Sequence, residues 1–209
     1  LNLFEHDGGS SEEFVLSPRY GSIPLTMANN NYSFQVGIEV INFGSADNTF
    51  NVNASIDGPS GNIYNETVNS FISTGDTLSI FHGNPSEFPL VSTPTWYGGD
   101  YTLTYTISIE GQTDESDFDN VFVRKFSVTS DVLSLAGQEN GALKANSFPS
   151  NATASYQTCM QLQDNYPTGT SLTGVNFVAQ ASDSLLQDEE IIIEVFEWND
   201  AWTDVSAGW

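Results

Sequence analysis

A chain of 209 residues with 27 Asp and Glu against 4 Lys and Arg carries a formal net charge of −23. That charge repels nucleic-acid phosphates and anionic lipid surfaces and sets both aside as partners. No apolar run approaches the roughly 20 residues of a membrane-spanning helix, so insertion is not expected either. A hydrophobic fraction of 39%, with 14 Phe, 8 Tyr and 4 Trp, supplies a core, and the abundant Ser, Thr, Asn and Gly suit strands and turns better than helices.

The segment Leu1–Ser10 has no initiator Met, basic stretch or apolar leader core, so a mature or excised piece of a longer protein is expected. Residues 1–9 read as an extension ahead of the first domain. Tyr32, Phe34, Val36, Ile38 and Val40 alternate with Ser33, Gln35, Gly37 and Glu39, which predicts one half-buried strand. Asn42–Ser45 reads as a turn. Phe50, Val52, Ala54 and Ile56 then alternate with Asn51, Asn53 and Ser55 as a second strand.

Weaker strands are expected at Ile63–Val68 and Leu78–Phe81, and the clearest at Tyr101–Glu110, followed by Val121–Val128. Asp57-Gly58-Pro59, Thr74-Gly75-Asp76 and Gly98-Gly99-Asp100 separate them as turns. Short strands with a turn signal about every ten residues point to an antiparallel sandwich.

Near Thr129–Asp131 a fresh unit begins, with Phe148, Tyr156, Cys159, Leu172–Phe177 and a strand at Glu189–Trp198. The expected fold is all-β: two tandem antiparallel β-sandwiches of immunoglobulin or fibronectin type, at 10–128 and 129–209, the second cut short at Trp209. Cys159 is the single cysteine, which excludes an intramolecular disulfide and a cysteine zinc site. It reads as a small buried hydrophobe.

The acidic stretch Thr113–Asn120, TDESDFDN, holds four carboxylates in eight residues. Hard cations take oxygen ligands, and Asp114, Glu115, Asp117, Asp119 and Asn120 offer them, which makes calcium the candidate ion. The loop lacks the glycine and the position-twelve Glu of an EF-hand. The competing reading is a solvated hairpin turn in which Asp119 and Asn120 cap backbone amides.

Exposed carboxylates on one loop do not form the separated acid pair that catalysis requires. His6 and His82 are the two imidazoles. With no H-E-x-x-H and no G-x-S-x-G they read as surface or turn residues. Trp96, Trp198 and Trp202 are candidates for stacking on sugar rings, against the alternative of core or edge plugs. The N-x-[S/T] sites at Asn31, Asn53, Asn65 and Asn151 matter only in a eukaryotic secretory route.

Several short motifs carry a resemblance. They are Tyr20–Leu25 as an entry strand, Val40–Ser45, Ser73–Asp76 before a strand, Gly99-Asp100-Tyr101, and Asp117–Asn120 before the last strand. Together they resemble the immunoglobulin-like, cell-adhesion-related domain of bacterial secreted proteins, in the version common among Bacteroidetes type IX secretion cargo. Phe126–Thr129, with Asp131 to Ala136, looks like the handover to a second sandwich, in which Glu197–Asp200 also recurs.

The likeness spans about residues 10–209. It implies a secreted or cell-surface, multi-module protein, an adhesin or a polymer-degrading enzyme in which such modules are non-catalytic. It also implies O-glycosylation at Thr77 and Ser184, in Asp76-Thr77-Leu78 and Asp183-Ser184-Leu185. The expected function is a structural or adhesive extracellular module, the alternative an accessory carbohydrate-binding or spacer module of a secreted hydrolase. No enzyme activity and no obligatory cofactor are expected, with calcium as the candidate ligand. Partners are other domains of the same chain, other surface proteins or a glycan.

Overall fold

A computed structural model describes residues 4–81, 87–93, 95–135 and 167–175. The chain divides into two units, Leu1–Leu172 and Thr173–Trp209, and the architecture is that of the first. His82, Cys159, Ser184, Trp198, Trp202 and the expected strand at Glu189–Trp198 lie outside the described residues.

The described strands are β1 (Gly8–Gly9), β2 (Ser22–Pro24), β3 (Ser33–Phe34), β4 (Ile38–Asn42), β5 (Asn48–Gly58), β6 (Gly61–Ile72), β7 (Thr77–Ile80), β8 (Val91–Ser92), β9 (Gly99–Ile109) and β10 (Val121–Thr129). A single helical turn, α1, covers Leu25–Ala28, and a 3-10 turn covers Glu12–Phe14. A five-stranded sheet runs in the order β2-β10-β9-β5-β6, a three-stranded sheet β1-β4-β7, and β3 pairs with β8. All pairings are antiparallel except β10 with β2. The first unit is therefore an all-β, essentially antiparallel sandwich, as its alternation predicts.

Period two decides which side chains enter the core. On β5, Phe50, Val52, Ala54 and Ile56 are fully buried, and their neighbours Asn51, Asn53 and Ser55 are not. Residues opposite each other across a pair point to the same side. Ile109 and Ile107 of β9, facing Phe50 and Val52, therefore go inward as well. Tyr101, Tyr105, Phe122 and Phe126 continue that inner face across β9 and β10.

Two expectations change. Tyr32–Val40 is not one strand, because the chain leaves the β3–β8 pair at Gln35–Gly37 and enters the β1-β4-β7 sheet. The Gln35 side-chain amide donates to the carbonyls of Val36 and Phe88, 2.9 Å each, and occupies backbone groups that a continuous ladder would use. Gly37 is required there, since a Cβ would lie 2.6 Å from the Ile80 carbonyl oxygen. Second, Gly8–Gly9 do not stand outside the domain as an extension. They pair with Asn42 and Ile41 of β4.

Trp96 anchors the aromatic centre. Its ring lies 5.3 Å from Tyr101, 5.6 Å from Tyr32 and 6.0 Å from Phe126 between centroids, and Tyr101 stacks on Phe126 at 5.0 Å. Asn29 holds its backbone from both sides, accepting from the Trp96 N–H at 2.7 Å and donating to its carbonyl at 3.1 Å. The Tyr105 hydroxyl ties β9 to the segments before β4: it accepts from the Gly37 N–H and donates to the Leu16 carbonyl, both at 3.0 Å. Burial pushes the Tyr105 pKa upward, so the hydroxyl keeps its proton. Tyr105→Phe leaves the buried Gly37 N–H without an acceptor. It should destabilise the unit by about 1–3 kcal/mol, read as a lower urea midpoint at unchanged slope.

Candidate functional site

The loop between β9 and β10 is more than a solvated turn. It closes over the N-terminal segment and holds it with carboxylates. Glu115 Oε2 accepts the backbone N–H groups of Glu5 (2.6 Å) and His6 (2.8 Å), and the Glu115 N–H returns to the His6 carbonyl at 2.9 Å. Asp114 Oδ2 accepts from the Gly8 N–H at 3.2 Å, and its Oδ1 caps the Ser116 N–H at 3.0 Å. The Ser10 N–H donates to the Asp119 carbonyl at 3.2 Å.

This clasp sets the charges of its members. Hydrogen bonds from the backbone of His6 and then Glu5 hold the Glu115 carboxyl below its usual range. Asp7 is shifted the other way, by burial first and then by the nearby carboxylates of Asp114, Asp119 and Glu115. Asp119 is raised too, by burial and the Asp114 charge, against a bond from its own backbone amide. Asp7 Oδ1, Asp119 Oδ1 and Asn120 Oδ1 are buried without a hydrogen-bond partner, and Asn120 is only 6% exposed. The approach is close enough that a Cβ on Gly9 would fall 2.3 Å from Asp119 Cγ.

Of the expected calcium ligands, Asp114, Asp119 and Asn120 belong to this seam. Asp117 is exposed and contributes its carbonyl to the turn, accepting from the Asn120 N–H at 3.4 Å. Among the described residues no three His, Cys, Asp or Glu side chains are grouped to hold a metal ion, so a site of carboxylates alone is not formed. Asp7 is the member that the sequence did not nominate. The Gly8-Gly9 pair after it was the available signal, since paired glycines let a backbone approach closely.

The sugar-stacking role does not hold for Trp96. It is 2% exposed, its faces are covered by Tyr32, Tyr101 and Phe126, and it has no open ring face to offer. His6 is half-buried, with Nδ1 3.0 Å from Asn48 Oδ1. Thr77 is exposed at the start of β7, one of the two edge strands of its sheet among the described residues.

A second feature lies at the far edge of the large sheet. β6 is twelve residues long, and among the described residues its sheet neighbour is β5 alone. The Glu110 N–H donates to the Thr49 carbonyl at 2.8 Å, so odd-numbered residues of β5 turn their backbone groups to β9 and even-numbered ones to β6. Register then turns the backbone groups of Asn65, Thr67, Asn69 and Phe71 away from β5, to the edge that has no strand partner among the described residues. Natural edges are blunted with Lys, Pro or several charges, yet β6 holds one charged residue, Glu66.

No protein-family model matches the chain, and no curated protein matches it. Among solved structures it is similar to a β-glucuronidase of Bacteroides uniformis, with 14% identity over 55% of this chain and a TM-score of 0.39. The chain spans 13% of that enzyme's length. It is also similar to the CARDB domain of a Pyrococcus furiosus protein in complex with di-metal ions, with 20% identity over 60% of this chain and 91% of that one, and a TM-score of 0.38. Likenesses at this level carry no residue role across.

The opposed shifts fix the pH response. Groups raised in the folded state, Asp7 and Asp119, take stability away as pH rises from the ordinary value of 3.8 through their folded values. Glu115, lowered in the folded state, contributes above its ordinary value of 4.5 and loses that contribution as pH falls. Asp7→Asn removes one of the repelling carboxylates. It should raise the urea midpoint at pH 7 and reduce the stability gained as pH falls from 7 toward the ordinary value of 3.8.

Proposed function

We propose that this chain is a non-catalytic, extracellular structural or adhesive module of a larger secreted bacterial protein, which meets its partners through the open edge of β6. The edge is the observation that carries the reading. Outward-facing N–H and C=O groups along a weakly charged strand can add a strand from another chain. The resemblance of the sequence to adhesion-related domains supports the same reading. The alternative, an accessory module stacking sugars on tryptophan, loses Trp96 to the core.

Beads coated with the chain should adhere to cells that secrete the parent protein, and beads carrying Asn69→Pro should not. Proline at an outward-facing position removes a donor while sparing the β5 ladder. An unchanged melting temperature shows that the variant is folded, and Asn69→Lys provides the same test without a backbone change. Adhesion retained by both variants removes the β6 edge from the function.

A cation at the N-terminal seam is a second reading, favoured by the partnerless oxygens of Asp7, Asp119 and Asn120. Calcium bound only by the folded state raises the melting temperature by mass action. Calcium should therefore raise it relative to chelator in the natural chain and not in the Asp7→Asn, Asp119→Asn double variant. Equal melting temperatures in calcium and chelator remove the ion.

A further inference from the structure

We propose that the outward face of the five-stranded sheet binds an uncharged polysaccharide chain. The proposal rests on the extracellular reading above and gives the module a second binding surface, the outward side-chain face of β9, β5 and β6, distinct from the backbone groups along the edge of β6.

The face is defined by register. Thr102, Thr104, Thr106 and Ser108 of β9 stand opposite Asp57, Ser55, Asn53 and Asn51 of β5, and β6 adds Asn65, Thr67 and Asn69. From Thr49 to Ser55, Asn65 to Phe71 and Thr102 to Ser108 no outward position is charged. Charges begin at the margin, with Asp57 and Lys125 at one end and Glu110, opposite Thr49, at the other. In a chain with 27 acidic residues, this is a face from which charge has been withheld.

Strand propensity accounts for the threonines and Phe71 but not for the asparagines. Asn is depleted in strands, yet Asn51, Asn53, Asn65 and Asn69 all sit on this face. Phe71, on the same face opposite Thr49, is 63% exposed. Carboxamides and hydroxyls each donate and accept, as sugar hydroxyls do, and an open aromatic ring offers an apolar surface to a pyranose. The array is held in place. The Asn53 amide donates to Asn65 Oδ1 at 2.8 Å and to Thr67 Oγ1 at 3.0 Å, so little side-chain freedom is lost on binding.

Charge selects among polymers. An anionic polysaccharide meets the field of a −23 molecule, and a cationic one is drawn to the acidic surfaces elsewhere. A neutral polyhydroxylated chain meets neither effect.

The test is affinity gel electrophoresis of the whole 209-residue chain in hydroxyethylcellulose, galactomannan and anionic polygalacturonate. At least one neutral polymer should retard the chain and polygalacturonate should not. Phe71→Ala and Thr106→Glu, both checked for an unchanged melting temperature, should each weaken retardation about tenfold or more. The proposal falls if no neutral polymer retards the chain, if both variants bind as the natural chain does, or if polygalacturonate retards it equally. Self-association in sedimentation that Thr106→Glu abolishes would assign the face to a second copy and also overturn it. Bead adhesion that survives Thr106→Glu while glycan binding is absent sinks this proposal and leaves the edge reading standing; the reverse result sinks only the edge.

Discussion

The register of β5 between β6 and β9 is the constraint on which the rest depends. β5 is paired on both sides, and its alternate residues Phe50, Val52, Ala54 and Ile56 are fully buried. A slip of one residue would turn that set to solvent and bring Asn51, Asn53 and Ser55 into the core. With the register fixed by burial, three further properties follow. The inner aromatic positions of β9 and β10 face Trp96, the outer face becomes a field of Thr, Ser and Asn, and the backbone groups at Asn65, Thr67 and Asn69 point away from the sheet.

Charge shortage governs the acidic loop. With 4 basic residues against 27 acidic ones, ion pairs cannot partner most carboxylates. Arg124 bonds Glu12 at 2.7 Å, but other acids turn to backbone amides. Glu115 takes those of Glu5 and His6, Asp114 that of Gly8, and Asp47 that of Thr74 at 2.9 Å. Bonds from neutral N–H groups satisfy a carboxylate without neutralising it, so where such carboxylates crowd together the repulsion persists. Asp7 and Asp119 carry that cost at the seam between the first strand and the last hairpin.

Buried polar side chains complete the frame at the turns. Asn42 is fully buried, and its amide donates to the carbonyls of Ala46 and Ile72 while its oxygen accepts from the Gly44 N–H. One side chain thereby joins the turn after β4 to the end of β6. The cost of burying an amide is offset because each of its groups has a partner.

Much of this was legible in the chain. Alternation at Phe50–Ile56 and Tyr101–Glu110 marked long strands and their inward residues, because period two is a local property that burial on one face imposes directly. The oxygen-rich character of Thr113–Asn120 was equally visible. Tertiary contact decided what the sequence could not. The strand predicted at Tyr32–Val40 breaks because Gln35 and Gly37 meet Phe88 and Ile80, residues more than forty positions away. Trp96 went to the core through Tyr32, Tyr101 and Phe126, and a tryptophan's type does not reveal whether its faces are covered. Asp7 joined the acidic loop across more than a hundred residues of chain. Spacing along the chain determined which residues share a face; proximity between distant segments, which depends on the packing of the whole sandwich, determined which of them form a site.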